Sequence, residues 1–104
     1  MNVPLPAGSG RSEIMSAITD MFLPAMEKYQ PDLIMISAGF DSRIDDPLGS
    51  FTLQDEDFAD CTRIVMDVAH ACCAGRLVST LEGGYNLPGL ASAAAAHVRT
   101  LQER

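Results

Sequence analysis

Long apolar runs are missing from this chain. None approaches the roughly 18 consecutive apolar residues that a membrane-spanning helix needs. The opening "MNVPLPAGSG" has neither a basic start nor an apolar stretch, so no secretory signal is expected in it. Cysteine is scarce and unevenly placed. Cys61, Cys72 and Cys73 are odd in number and two are adjacent. That excludes a disulfide framework and fits reduced, buried thiols, so the expected location is the cytoplasm. Basic residues are few: Lys and Arg total 7 against 14 Asp and Glu, for a net charge of -7. They are scattered, and without a basic stripe the chain has nothing to neutralise a phosphate backbone. Nucleic acid and membrane are therefore not expected partners. The "GSG" at Gly8–Gly10 lacks the lysine and preceding strand of a phosphate loop. There is no internal repeat and no low-complexity segment. Histidine occurs only twice, as His70 and His97.

What is present reads as one globular unit of 104 residues, 47% of them hydrophobic. A unit of this size buries about two-thirds of its unfolded surface, which allows a modest core. The first residues, with Pro4 and Pro6, suit an extended edge or connector rather than a central strand. From Arg11 to Tyr29, Ile14, Met15, Ile18, Met21, Phe22, Ala25, Met26 and Tyr29 fall at helical spacing. Pro24 sits inside that run and is expected to kink or split the helix near Asp20. The short apolar run "DLIMIS" (Asp32 to Ser37) lacks alternation, which predicts a strand covered on both faces, as in a parallel sheet. A helix is predicted over 55–74, with Phe58, Cys61, Val65, Val68, Ala69 and Cys72 on one stripe, capped by Thr52 or Asp55. Gly75 ends it. "RLVSTL" (Arg76 to Leu81) is a second buried strand. Asn86 is expected to cap a last helix with Pro88 in its first turn, and that helix carries Leu87, Leu90, Ala91, Ala94, Val98 and Leu101. The order helix, strand, helix, strand, helix is that of an α/β layer fold with a parallel sheet.

In such a sheet, the loops after the strands gather on one edge, where ligands bind. The first loop carries Asp41 in "SAGFDSRIDDPLG"; the second is "EGGYN" with Gly83, Gly84 and Tyr85. Asp41 either ligates a divalent metal or caps its own turn. Asp45 and Asp46 read as the start of the turn that Pro47 shapes. Gly83 and Gly84 either supply positive φ or let a substrate approach the backbone. Tyr85 either packs its ring or donates its phenol to a developing oxyanion. His70 and Cys73 share a helical face but make only two ligands. His97 is expected in the last turn of the final helix, favouring its dipole. The methionines are explained by core packing.

Taken together, "NVPLPAG", "PDLIMISAGFDSRIDDPLG", "GRLVSTLEGGYNL" and "LASAAAAHV" resemble, in this order, the C-terminal part of the histone deacetylase family. The resemblance is nearest to its bacterial class II-like amidohydrolases, with acetylpolyamine amidohydrolases as relatives. It implies an arginase-like three-layer α/β fold. It also implies zinc-dependent hydrolysis of acetyl-lysine, an acetylated polyamine or another small N-acetyl amine. By the same resemblance Asp41 corresponds to a metal ligand and Tyr85 to the tyrosine that stabilises the oxyanion. Gly83 and Gly84 correspond to glycines at the base of the substrate pocket. The family's Asp-x-His metal pair and tandem histidines do not occur here. The expectation is therefore that residues 1–104 are the C-terminal part of one catalytic domain, inactive without its N-terminal part. The alternative is a non-catalytic module that binds another protein.

Overall fold

The computed structural model describes residues 1–103. Helix α1 (Arg11–Ala17) runs through a π-helical turn (Ile18–Phe22) into α2 (Leu23–Tyr29). Strand β1 (Ile34–Ala38) is followed by a long loop, then helix α3 (Asp55–Cys73), strand β2 (Leu77–Leu81) and helix α4 (Leu87–Leu101). The predicted element order holds, with boundaries moved by one or two residues.

The break in the first helix has a local cause. Pro24 has no N–H for the carbonyl of Asp20, four residues back, and its ring crowds that carbonyl. The ladder widens to a π turn there. A wider turn also shifts the helical phase. Ile14 and Met26 still pack on the core, as does Phe22. Met21 and Tyr29, expected inward, end up exposed.

The strands form a two-stranded parallel sheet, with Ile34 opposite Leu77 and Ala38 opposite Leu81. Only one of its faces is covered. Ile34 and Ala38 point into the core, whereas Met35 and Val78, on the other face, are 70% and 48% exposed. The sequence reading of strands buried on both faces is corrected here: within the described residues the helices that cover the sheet all meet the Ile34 and Ala38 face.

Two apolar clusters fill that side. Near the C-terminal end of β1, Ala38 meets Phe40, Leu53, Phe58 and Ala93. The Phe40 and Phe58 rings lie 5.2 Å apart and tilted, a pair worth about 0.5–1.5 kcal/mol beyond its area. Near the other end, Ile34 meets Val68, Ala69 and Cys73. Cys73 is the buried thiol, and Cys72 is only half-buried. The inward stripe of α4 is made of small and polar residues. Gly89, Ala93, His97 and Thr100 are buried, while Leu87 and Val98 are exposed. Small residues let α4 approach α3 closely, and Ala93 is completely covered. The polar members of that stripe find partners, since Thr100 Oγ1 donates to Ala96 O at 2.8 Å.

The caps are mixed. Asn86 caps α4 as expected, its Oδ1 accepting from Gly89 N at 2.9 Å. Neither Thr52 nor Asp55 caps α3. The N-cap is Gln54, whose backbone N–H donates to the Asp57 carboxylate at 2.8 Å. An acceptor at the third helical position satisfies the N-cap amide, the half of a capping box that runs back from inside the helix. At the other end Ala74 takes the left-handed conformation, φ 55°, ahead of Gly75 at φ 79°. A Cβ there is strained. Ala74→Gly is therefore expected to stabilise the chain by about 0.5–1 kcal/mol, read as a higher urea midpoint at unchanged m-value.

Candidate functional site

Because β1 and β2 are parallel and in register, the loops that follow them leave the sheet side by side. Backbone bonds continue the pairing past the strands. Glu82 N donates to Ala38 O at 2.9 Å and Phe40 N donates to Gly83 O at 2.8 Å. Asp41 and Gly83 are brought into contact in this way. Both carboxylate oxygens of Asp41 lie against the Gly83 backbone, where a Cβ would sit 2.6 Å from Oδ2 and 3.0 Å from Oδ1. Gly39 approaches the same carboxylate, its Cβ position 3.1 Å from Oδ1. Of the two glycines in "EGGYN", only Gly84 uses positive φ, 137°. Gly83 is required because a neighbouring carboxylate fills the space of its side chain.

Asp41 itself is half-buried at the edge of a cleft of about 370 Å³ that Leu5, Ala7, Ser42 and Phe51 also line. The ion pairs of the described residues employ Asp55, Asp57, Asp60 and Glu103, not Asp41. Among the described residues its carboxylate is therefore not an internal counter-ion, and it lies against the Gly83 and Gly39 backbones. Tyr85 follows on the same rim and is 50% exposed, so it is not packed away.

The long loop is held from three sides. Ile44 N donates to Leu53 O and Leu53 N donates to Ser42 O, at 2.8 and 3.1 Å. Arg43 Nε donates to Asp55 Oδ1 at 2.8 Å, and that guanidinium holds the Asp55 carboxyl below the usual carboxylate range. The N-terminal residues lie along the loop as an extended connector, with Gly8 N donating to Ser50 O and Thr52 N to Ser9 O.

Asp46 is the residue that sequence reasoning undervalued. The turn role was legible, and its Oδ1 does accept from Leu48 N and Gly49 N, each at 2.9 Å. Its Oδ2, however, accepts from the backbone N–H of Tyr85 at 2.8 Å. Burial alone would raise this carboxyl, but the amides of Tyr85, Leu48, Gly49 and Asn86 outweigh it and hold it below its ordinary value. No local pattern announces a bond across 39 residues.

The histidines and cysteines form no site. His70 is exposed near the end of α3, and Cys73 is buried with its thiol donating to Arg76 O. Burial pushes the Cys61 thiol up to about 11, which makes it a poor nucleophile. His97 corrects the sequence reading outright. It is buried between α3, α4 and β2, not serving a helix dipole. Thr62 Oγ1 donates to Phe58 O at 2.6 Å. His97 Nδ1 must then donate to Thr62, at 2.7 Å, and in the neutral ring Nε2 accepts from Ser79 Oγ at 2.8 Å. Burial favours the neutral form of the ring, which meets Phe40 edge-on at 5.7 Å, beneath the Asp41 loop.

Burial lowers the His97 pKa from 6.5. The folded state then binds fewer protons than the unfolded state over the window just below that value. Its stability contribution is complete above about pH 6.5 and is lost as pH falls through the folded value. Urea midpoints measured from pH 7.5 to 5 should fall accordingly, and His97→Gln should flatten that part of the profile.

Residues 1–101 match the histone deacetylase domain family. The chain is 41% identical over 103 residues to the type-2 histone deacetylase 1 of Dictyostelium discoideum, covering 99% of this chain and 7% of that protein. It is 41% identical over 86 residues to a histone deacetylase-like amidohydrolase of Pseudomonas aeruginosa, covering 83% and 23%. Its fold superposes on the solved structure of the histone deacetylase Clr3 with a TM-score of 0.87 at 30% identity, covering 97% of this chain and 16% of that one. The chain spans less than a quarter of the length of each of these.

Proposed function

Because this chain belongs to the histone deacetylase family, we propose that it supplies the Asp41 and Tyr85 side of a zinc-dependent deacetylase active site. On this reading residues 1–104 are the C-terminal part of one catalytic domain. The substrate is acetyl-lysine, an acetylated polyamine or another small N-acetyl amine. The observation that carries the reading is the placement of a free Asp41 carboxylate and an exposed Tyr85 on one rim, across Gly83.

The residues fit one part of a zinc site. Catalytic zinc takes three protein ligands and leaves a position open. Asp41 is a carboxylate beside a cleft, set against two glycines that add no competing side chain, as one such ligand would be. Among the described residues no group of three or more His, Cys, Asp or Glu could hold a metal. The other ligands must therefore come from outside them, and the reading assigns them to the rest of the domain. What zinc supplies when bound is Lewis acidity at the amide carbonyl. This chain's own contribution is the Tyr85 hydroxyl, which donates a hydrogen bond to the carbonyl oxygen as that oxygen gains charge. Gly83 lets the Asp41 carboxylate lie against its backbone, and Gly84 lets Leu90 and Phe40 pack beneath the turn that carries Tyr85.

The exposed Met35 and Val78 face favours a second reading, in which the chain binds another protein surface without catalysis. One experiment separates the two. The 104-residue chain is assayed for acetyl-lysine amide hydrolysis with and without zinc, alone and with the remainder of a deacetylase domain supplied. The deacetylase reading expects no turnover alone and zinc-dependent turnover when completed. In the completed form Tyr85→Phe should lower kcat by about a hundredfold to a thousandfold. Asp41→Ala should abolish the rise in melting temperature that zinc gives. Turnover indifferent to a chelator and to Tyr85→Phe would sink the reading.

A further inference from the structure

We infer that Asp46 is a positioning residue, which holds Tyr85 in place through the Tyr85 backbone; the inference rests on the role proposed above for Tyr85. Asp46 is buried, and its two oxygens divide their work. Oδ1 accepts from Leu48 N and Gly49 N within its own loop. Oδ2 accepts from Tyr85 N in the other loop. The first oxygen alone accounts for an ordinary aspartate turn. The second goes beyond that role.

Each oxygen also governs one of the two site residues. Gly49, held by Oδ1, lies so close to the Asp41 carbonyl that a Cβ would overlap it. Fixing Gly49 therefore fixes the backbone of Asp41. Tyr85, held by Oδ2, follows two glycines, of which Gly84 sits at φ 137°. Glycines leave the chain many alternatives, and the half-exposed Tyr85 ring has little packing to choose among them. The neighbouring residues reinforce the link. Asn86 Nδ2 donates to Asp45 O at 3.0 Å, while its Oδ1 caps α4. The rim is thus tied to the start of α4.

A carboxylate suits this position because the donors arrive from two sides and no acceptor needs a proton in return. Asparagine offers one carbonyl oxygen and one amino group, so one side must meet donor against donor.

The test joins a direct observation with kinetics. A trans-hydrogen-bond NMR coupling from the Tyr85 amide nitrogen to the Asp46 Cγ is expected in the unaltered chain, and its absence overturns the inference whether or not any variant folds. In Asp46→Asn, hydrogen exchange at the Tyr85 amide is expected to accelerate at least about tenfold, as its local protection is lost. In a catalytically complete preparation the same variant should lose about tenfold to a hundredfold in kcat with KM little changed, because a slight misplacement of the phenol acts on the transition state. A purely structural aspartate would move stability without this split. Unaltered kcat in Asp46→Asn, beside a large loss in Tyr85→Phe, overturns the inference. If Tyr85→Phe itself leaves kcat unchanged, the proposed role of Tyr85 fails, and the coupling and exchange data still decide whether Asp46 holds the loop.

Discussion

Two parallel strands in register send their chains out of the sheet at the same edge, heading the same way. The pairing of Ala38 with Leu81 does this here. The rim that carries Asp41 and Tyr85 is downstream of that pair. The bonds from Glu82 to Ala38 and from Phe40 to Gly83 extend it by two more steps. A slip of one residue would turn each side chain to the other face. It would also carry the Gly83 backbone away from the Asp41 carboxylate. The register is fixed from below by burial, since Ile34 and Ala38 must face the helices while Met35 does not.

The support beneath the rim is partly polar. His97 joins α4 to α3 through Thr62 and to β2 through Ser79, and its ring backs Phe40. A buried imidazole is tolerable because each nitrogen has a partner and the ring is neutral. The donors and acceptors fit one tautomer only, so the contact is directional where an apolar residue would only fill volume. It links α3, α4 and β2.

Much of this was legible in the sequence. Non-alternating apolar runs marked the strands, Asn86 and Pro88 marked the start of α4, and Pro24 marked the break in the first helix. Asp41 and Tyr85 could be placed on one rim from strand order alone. Three things were not legible, each for a physical reason. The inward face of α4 carries Gly89, Ala93, His97 and Thr100, because close helix packing selects for small size as much as for apolarity. The open face of the sheet cannot be read from strands that are apolar on both sides. The second partner of Asp46 lies 39 residues away, and side-chain-to-backbone bonds of that span leave no periodic trace.

The same span bears on the order of assembly. Closing a loop of that length costs about 3 kcal/mol in chain entropy before any constant term. A single hydrogen bond to a charged group returns about 1.5–3 kcal/mol. The bond from Tyr85 to Asp46 therefore cannot draw its two loops together unaided. The strands must first find each other, and α3 must fold between them. The rim carrying Asp41 and Tyr85 is thus a late product of folding. Its integrity reports on the whole topology, and slowing the pairing of β1 with β2 would delay the site as a unit while leaving the helices to form on their own schedule.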